Sequence, residues 1–296
     1  MKEWPVIIHR IIQIGRRIHY ILLTNSKNSG FSGIEHHVMM ETYRLGSDCS
    51  YEEVIRATMF DKSTVSRIIV RLEERNCMCS YSDPSNPYRK RVRLTEQGKG
   101  YTVQTIREAL DGEQLFCRVL TTEEKSRLHS YLLRFYNQLR ENCAPDVFST
   151  EWPVIGHCTM NTIKYIVRTS PVFKEEGRDA NQKWILMSLL HQGGTGTYKK
   201  IEKKYLIEQT VVVRQMRKLA AKGLVGKSMS GRDKRVKEAW LTAKGKEEAE
   251  KIRDACMSIE IAGCRGFSEE DREDFSSLLY KVLKGIDSCT IAPPAL

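Results

Sequence analysis

Apolar positions recur at steps of three and four through most of the chain, and short strand-like stretches interrupt them at two places. Ile7, Ile11, Ile14, Ile18 and Ile21 make one stripe, which predicts an opening helix with a single buried face. A polar loop over 24–33 is expected next, followed by a helix over 34–45 stopped at Gly46. Ser50-x-x-Glu53 is a capping box that starts a short helix running to Met59. Asp61 is an N-cap for the next helix, over 62–75. Two short helices joined by so brief a turn form a helix-turn-helix. A basic hairpin follows, with its tip at 83–88, and two long amphipathic helices close the pattern. The last of these carries Leu128, Tyr131, Leu132, Phe135 and Leu139 on one stripe.

The pattern then starts again. Glu3-Trp4-Pro5-Val6-Ile7 recurs as Glu151-Trp152-Pro153-Val154-Ile155, at an offset of 148. Leu94-Thr95 and Gly98-Lys99 recur as Leu241-Thr242 and Gly245-Lys246, at an offset of 147, and Arg67 and Leu72 match Arg214 and Leu219. The closing stripe reappears as Phe275, Leu278, Leu279, Val282 and Ile286. A constant offset of half the 296-residue chain predicts a duplication into units 1–147 and 148–296. In the second unit the expected elements are a loop over 168–179, a helix over 182–191, and a helix-turn-helix over 198–205 and 209–222. The fold class expected is mainly α with small β-wings, as two tandem winged helix-turn-helix domains with terminal helices of the dimerising type.

The second helix of each pair has two faces. Val65, Ile69 and Leu72 form a core face, as do Val212, Met216 and Leu219. The other face carries Lys62, Ser63, Thr64, Ser66, Arg67 and Arg71 in the first unit, and Gln209, Thr210, Val213, Arg214 and Arg217 in the second. Arg can bond guanine bidentately, Gln can bond adenine, and Ser or Thr suits either, so this face fits major-groove contact. Arg89, Lys90 and Arg91 in the first hairpin, and Arg232, Lys234 and Arg235 in the second, are placed to meet phosphates or the minor groove.

Composition strengthens this. Lys and Arg outnumber Asp and Glu by 48 to 37, a formal charge of +11, which favours a polyanionic partner. No run of about 18 apolar residues spans a membrane, and the charged opening segment does not fit a secretory signal, so a cytoplasmic protein is expected. Nine cysteines without scaffold spacing fit a reduced environment. Cys77-x-Cys79 has no second pair to complete a zinc site, so no metal and no cofactor is expected. No nucleophile–base pair or phosphate loop stands out, so the chain does not read as an enzyme.

Each unit resembles the MarR family of winged helix-turn-helix transcriptional regulators. In the second unit the resemblance rests on Thr210-Val211-Val212-Val213-Arg214, Leu219-Ala220-Ala221-Lys222-Gly223-Leu224-Val225, Asp233-Lys234-Arg235 and Leu241-Thr242-Ala243-Lys244-Gly245. In the first it rests on Ser63-Thr64-Val65-Ser66-Arg67, Leu72-Glu73-Glu74-Arg75 and Leu94-Thr95-Glu96-Gln97-Gly98. The resemblance implies a dimer of heads on a palindromic site in double-stranded DNA. With two heads in one chain, it implies an intramolecular pseudo-dimer, or else a homodimer, on an imperfect inverted repeat. The family's D-x-R wing signature is intact as Asp233 and Arg235, with Asp233 orienting the arginine, but the first wing has Asn86-Pro87-Tyr88 there.

The resemblance also implies release by a small aromatic effector or by cysteine oxidation. His36, His37, Tyr43, Trp184 and His191 are the candidate cleft residues, and Cys49, just before a helix start, is the candidate redox thiol; Tyr20, Arg16 and Arg17, which the family does not fix, are candidate anion contacts. The alternative is a winged-helix protein-interaction scaffold that reads no DNA.

Overall fold

The computed structural model describes residues 4–26, 30–140, 152–174, 179–205, 207–229 and 237–289, with the side chains of 19–26 and 229 outside that description. The first unit runs α1 (Val6–Ser26), α2 (Gly33–Arg44), β1 (Asp48–Ser50), α3 (Tyr51–Thr58), α4 (Lys62–Glu74), β2 (Met78–Asp83), β3 (Asn86–Leu94), α5 (Glu96–Phe116) and α6 (Thr122–Leu139). The second runs α7 (Val154–Thr169), α8 (Pro171–Lys174), α9 (Ala180–His191), β4 (Thr195–Thr197), α10 (Tyr198–Tyr205), α11 (Gln209–Ala221), β5 (Val225–Met229), β6 (Lys237–Leu241), α12 (Ala243–Gly263) and α13 (Glu269–Cys289). The fold is mainly helical, with two small antiparallel sheets ordered β1-β3-β2 and β4-β6-β5. Their registers agree: Cys49 pairs with Val92 and Met78 with Leu94, just as Gly196 pairs with Ala239 and Val225 with Leu241.

Local chemistry sets the helix starts. Ser32–Glu35, Ser50–Glu53 and Thr121–Glu124 form reciprocal capping boxes at α2, α3 and α6. Thr95 and Thr242 cap α5 and α12 by accepting from the N–H of Gly98 and Gly245, each at 3.0 Å. Those two glycines have a steric cause. A Cβ at Gly98 would stand 1.9 Å from the Cys77 carbonyl oxygen, and one at Gly245 would stand 1.8 Å from that of Leu224. The long helix can thus start directly against the backbone that enters the wing.

Two expected loops are shorter than the sequence suggests. Helix α1 continues to Ser26, and α7 runs to Thr169, with α8 inside the expected second loop. Phe173 holds that insertion: it is buried, packs 4.8 Å from the Trp184 ring, and its carbonyl accepts from Lys183 Nζ at 2.6 Å. The opening stripe is also wider than expected, because Ile8 and Ile12 are buried along with Ile7, Ile11, Ile14 and Ile18. Helix α1 lies between α7 and α13, so it has no solvent face to spare over those turns.

The packing crosses between the units. The first head has its own core around Val38, Val54, Val65, Ile69 and Val92. Helix α1 instead joins the core of the second unit, with Ile8 and Ile12 in one cluster with Tyr205, Met216 and Leu279. Arg16 Nε donates to the Tyr205 carbonyl at 2.6 Å, and Tyr205 Oη and His9 Nδ1 share a hydrogen bond at 3.0 Å. In return α7 meets the first head, where His157 Nδ1 lies 3.3 Å from Glu41 Oε1 and Lys164 stands over the Phe60 ring.

The crossing is reciprocal. Glu113 in α5 accepts from Gly156 N at 2.8 Å and from Ile155 N at 3.3 Å, at the start of α7. Its counterpart Glu260 in α12 accepts from Ile8 N at 2.8 Å, at the start of α1. Positions that match in the repeat also touch each other. Arg127 Nε donates to Asp274 Oδ2 at 2.8 Å, and Gly15 faces Ile163. Like-to-like contact of this kind marks an approximate twofold axis.

Candidate nucleic-acid interface

In the first head the turn between α3 and α4 is made by Met59, at φ 54°, and Phe60. Asp61 then caps α4 with three bonds. Its carboxylate accepts from Thr64 N at 2.7 Å, Ser63 Oγ at 2.6 Å and Thr64 Oγ1 at 2.7 Å. The Ser63 and Thr64 hydroxyls, followed by the Thr64 N–H, hold the Asp61 carboxyl well below the usual carboxylate range. Those two hydroxyls are therefore spent as donors on the cap and present lone pairs outward. Glu208 at the start of α11 makes no side-chain cap bond.

Both second helices bury one face and expose the other. Val65, Ile68, Ile69 and Leu72 are buried in α4, and Val212, Met216 and Leu219 in α11. Lys62, Ser63, Arg67 and Arg71 are exposed, with Thr64 and Ser66 half-buried beside them. On α11 Gln209, Thr210, Arg214 and Arg217 are exposed and Val213 is half-buried. The structure thus brings each predicted set together on one solvent-facing helix surface. Arg67 bonds only weakly along its own helix, to Ser63 O at 3.3 Å and Thr64 Oγ1 at 3.4 Å.

The wings differ from expectation in one respect. Arg89 and Lys90 are exposed on β3, but Arg91 is held within the sheet. It donates to Asp48 Oδ1 at 3.0 and 3.1 Å, and its Nη1 lies 3.7 Å from Asp83 Oδ2. Its bonds to Tyr81 and Asp48 raise its pKa further, so Arg91 stiffens the wing root and is not a free DNA contact. Arg232, Asp233, Lys234 and Arg235 lie outside the described residues. So does the Tyr20 side chain.

The candidate effector cleft does not assemble. His36 bonds Thr105 at 3.0 Å on the α5 side, while His37 packs on Phe60 toward α7. Trp184 is 1% exposed and fills the second core between Phe173 and Tyr205. His191 stacks on His9 at 5.0 Å and accepts from Lys204 Nζ at 2.6 Å. Tyr43 packs against the first head's core. Two surface cavities, lined by Glu96–Arg107 side chains and by Trp4, Met257 and Ile261, include none of these five residues. Arg16 and Arg17 are likewise engaged, Arg17 with Asp287 at 2.9 Å.

Cys49 is a correction. It does precede the start of α3, but within β1 it is 2% exposed, and burial pushes its thiol up to about 12. A thiolate is disfavoured there, the opposite of what a redox sensor needs.

Two features escaped the sequence argument. Val70 is 50% exposed on α4, at the position that matches Arg217. The exposed Lys199, Lys200 and Lys203 lie on α10. Carrying the 147 offset through every position would have revealed the first, since Arg71 matches Lys218 and not Arg217.

Residues 179–245 match the family model described as a winged helix DNA-binding domain. A curated relative, the uncharacterized HTH-type transcriptional regulator YybA of Bacillus subtilis (strain 168), is 30% identical over 89 residues. That match spans 30% of this chain and 59% of the relative. Among solved structures, Bordetella bronchiseptica BpsR is 23% identical, with 43% of this chain and 96% of that chain covered, at a TM-score of 0.35. A MarR-family regulator from Silicibacter pomeroyi is 20% identical, covering 45% and 91%, at 0.39. MepR of S. aureus, solved with DNA, is 22% identical, covering 43% and 93%, at 0.37. Among the described residues no helix is long and apolar enough to cross a membrane, and no group of three metal-binding side chains occurs. Residues 179–245 thus match a winged helix DNA-binding domain, and the solved structures similar to this chain include MarR-family transcriptional regulators.

Proposed function

We propose that this chain is a sequence-specific regulator of transcription that binds double-stranded DNA as a single-chain pseudo-dimer, with units 1–147 and 148–296 each reading one half of an imperfect inverted repeat. The observation that carries this is the pairing of a duplicated helix-turn-helix with reciprocal contacts between the halves. Glu113 holds the start of α7 and Glu260 the start of α1, while Arg127 meets its own counterpart position, Asp274. Contacts of this kind in one chain do what the interface of a symmetric dimer does, and orient two heads without a second copy.

Lys62, Ser63, Thr64, Ser66, Arg67 and Arg71, and Gln209, Thr210, Val213, Arg214 and Arg217, are the proposed groove-facing residues. Arg89 and Lys90, with Arg232, Lys234 and Arg235 and the orienting Asp233, are the proposed wing contacts. The helix faces differ in chemistry, which predicts unlike half-sites. Neither the cysteine nor the aromatic cleft enters this reading, because Cys49 is buried and the five cleft residues serve separate packings.

The test is selection from a random duplex pool with the wild-type chain and with Arg67→Ala and Arg214→Ala. The expected product has two half-sites about one helical turn, or 10 base pairs, apart. Each substitution should relax one half only. A perfect palindrome would overturn the imperfect-repeat assignment, and no enrichment would favour a protein-binding scaffold.

A further inference from the structure

The two helix-turn-helix units share a geometry but not a charge. Helices α3 and α4 carry Arg56, Lys62, Arg67 and Arg71 against Glu52, Glu53, Glu73 and Glu74, so they have no net charge. Helices α10 and α11 carry seven Lys and Arg against the single Glu202, a net charge of +6. The wings do not redress this, because residues 78–94 and their counterparts 225–241 each carry a net +3. Two-thirds of the difference is a direct inversion. Glu52 and Glu53 stand where the second unit has Lys199 and Lys200.

That inversion works against local stability. Glu53 closes a capping box, accepting from Ser50 N at 2.7 Å while Ser50 Oγ accepts from Glu53 N at 3.2 Å. In the second unit Thr197 Oγ1 still accepts from Lys200 N at 3.2 Å, but an ammonium group has no lone pair to return the bond. Two cations in the first turn also oppose the helix dipole. A helix that gives up half its cap and takes an unfavourable charge pattern is shaped by something outside itself. In a helix-turn-helix the first helix crosses the phosphate backbone while the second enters the groove. Lys199, Lys200 and Lys203 are exposed on that first helix.

On the groove-facing helices the exchanges run both ways, since α11 has Gln209 where α4 has Lys62. Where α11 has Arg217, α4 has the half-exposed Val70, beside Ser63 and Ser66. A valine there adds no attraction to phosphate and suits contact with a thymine methyl.

We infer that the two units divide the work of binding, with the second acting as the phosphate anchor through Lys199, Lys200 and Lys203, and helix α3 of the first, with Glu52 and Glu53 at those positions, adding little electrostatic pull. This rests on the double-stranded DNA function proposed above and deepens it. A symmetric homodimer cannot hold such a division, whereas a fused pair can.

The test uses the full chain and a random-sequence duplex pool, with affinity followed by fluorescence anisotropy over a series of NaCl concentrations. Lys199→Gln/Lys200→Gln/Lys203→Gln should lower the slope of log K against log salt by about 2 to 3, and weaken binding roughly 10²-fold near 0.1 M salt. Arg56→Gln, at the position matching Lys203, should change the slope by about 1 at most. Glu52→Lys leaves the capping box intact and should steepen the slope by about 1, a gain that misfolding cannot imitate. Circular dichroism melts confirm that each variant is folded. A triple variant that keeps the wild-type slope, or an Arg56→Gln loss as large as the triple's, overturns the division of work while leaving the DNA-binding function standing. A flat slope in the wild type itself overturns both.

Discussion

Replacing Glu113 and Glu260 by glutamine should make the chain more stable at neutral pH than at acid pH, relative to wild type. Glu113 is 4% exposed, and burial pushes its carboxyl up to about 7 despite the two N–H donors that pull the other way. Burial likewise pushes Glu260 up to about 7. An unfolded chain releases the same proton near 4.5. Between those values the folded chain holds a proton that the unfolded chain has lost, so stability falls as pH rises through the window and is level above it. The loss is about 3 kcal/mol per carboxyl, from roughly 1.4 kcal/mol per pH unit. Gln keeps an acceptor for an N–H at the start of α1 or α7 and cannot ionise.

Urea unfolding of wild type and Glu113→Gln/Glu260→Gln, at about pH 5 and about pH 8, reads the difference directly. The double variant should gain about 3 kcal/mol per site on wild type between the two conditions. Because only the difference between variants is used, titration of the buried histidines cancels. Curves that stay parallel would refute the claim that these two carboxyls enter the fold as buried, proton-holding clamps.

Other expectations follow from the packing. Asp61→Ala removes the three-bond cap of α4 and should cost about 1 kcal/mol in thermal unfolding, whereas Glu208→Ala should cost little, since it makes no cap bond. Gly98→Ala and Gly245→Ala drive a methyl into a backbone carbonyl, and each should destabilise by about 1–3 kcal/mol or more; melting temperatures within a degree or so of wild type would contradict this. Timed alkylation at mildly alkaline pH, read by mass spectrometry, should modify Cys79 well before Cys49, whose thiol is buried and pushed up to about 12. Early loss of Cys49 would reopen its candidacy as a redox centre.

Much of this was legible in the chain, and what was not has identifiable causes. Capping boxes and three- and four-residue steps place α2, α3, α4, α10 and α11 within a residue or two, because caps and core faces act locally. Exposure of Arg67 and Arg214 follows from the same helical phase. Arg91 was misplaced because its partner, Asp48, is 43 positions away and meets it only when β1 pairs with β3. Cys49 was misjudged for the same reason, since a three-residue strand buried against Val92 has no sequence pattern of its own. The five aromatic and histidine positions fall where the family's cleft is expected, but α2 and α9 turn them toward different neighbours. The crossing of α1 into the second unit is a long-range choice that periodicity alone cannot express.

The central claim is that one chain holds both halves of a DNA reader. The most direct measurement is the mass of the free chain, and of its complex with the selected duplex, at low concentration by sedimentation. The account predicts a free species of 34.2 kDa and one chain per duplex, with both half-sites protected from cleavage. A free species of twice that mass, or two chains on each duplex, would mean that the heads pair between molecules and that the reciprocal contacts of Glu113 and Glu260 do not suffice to make a reader.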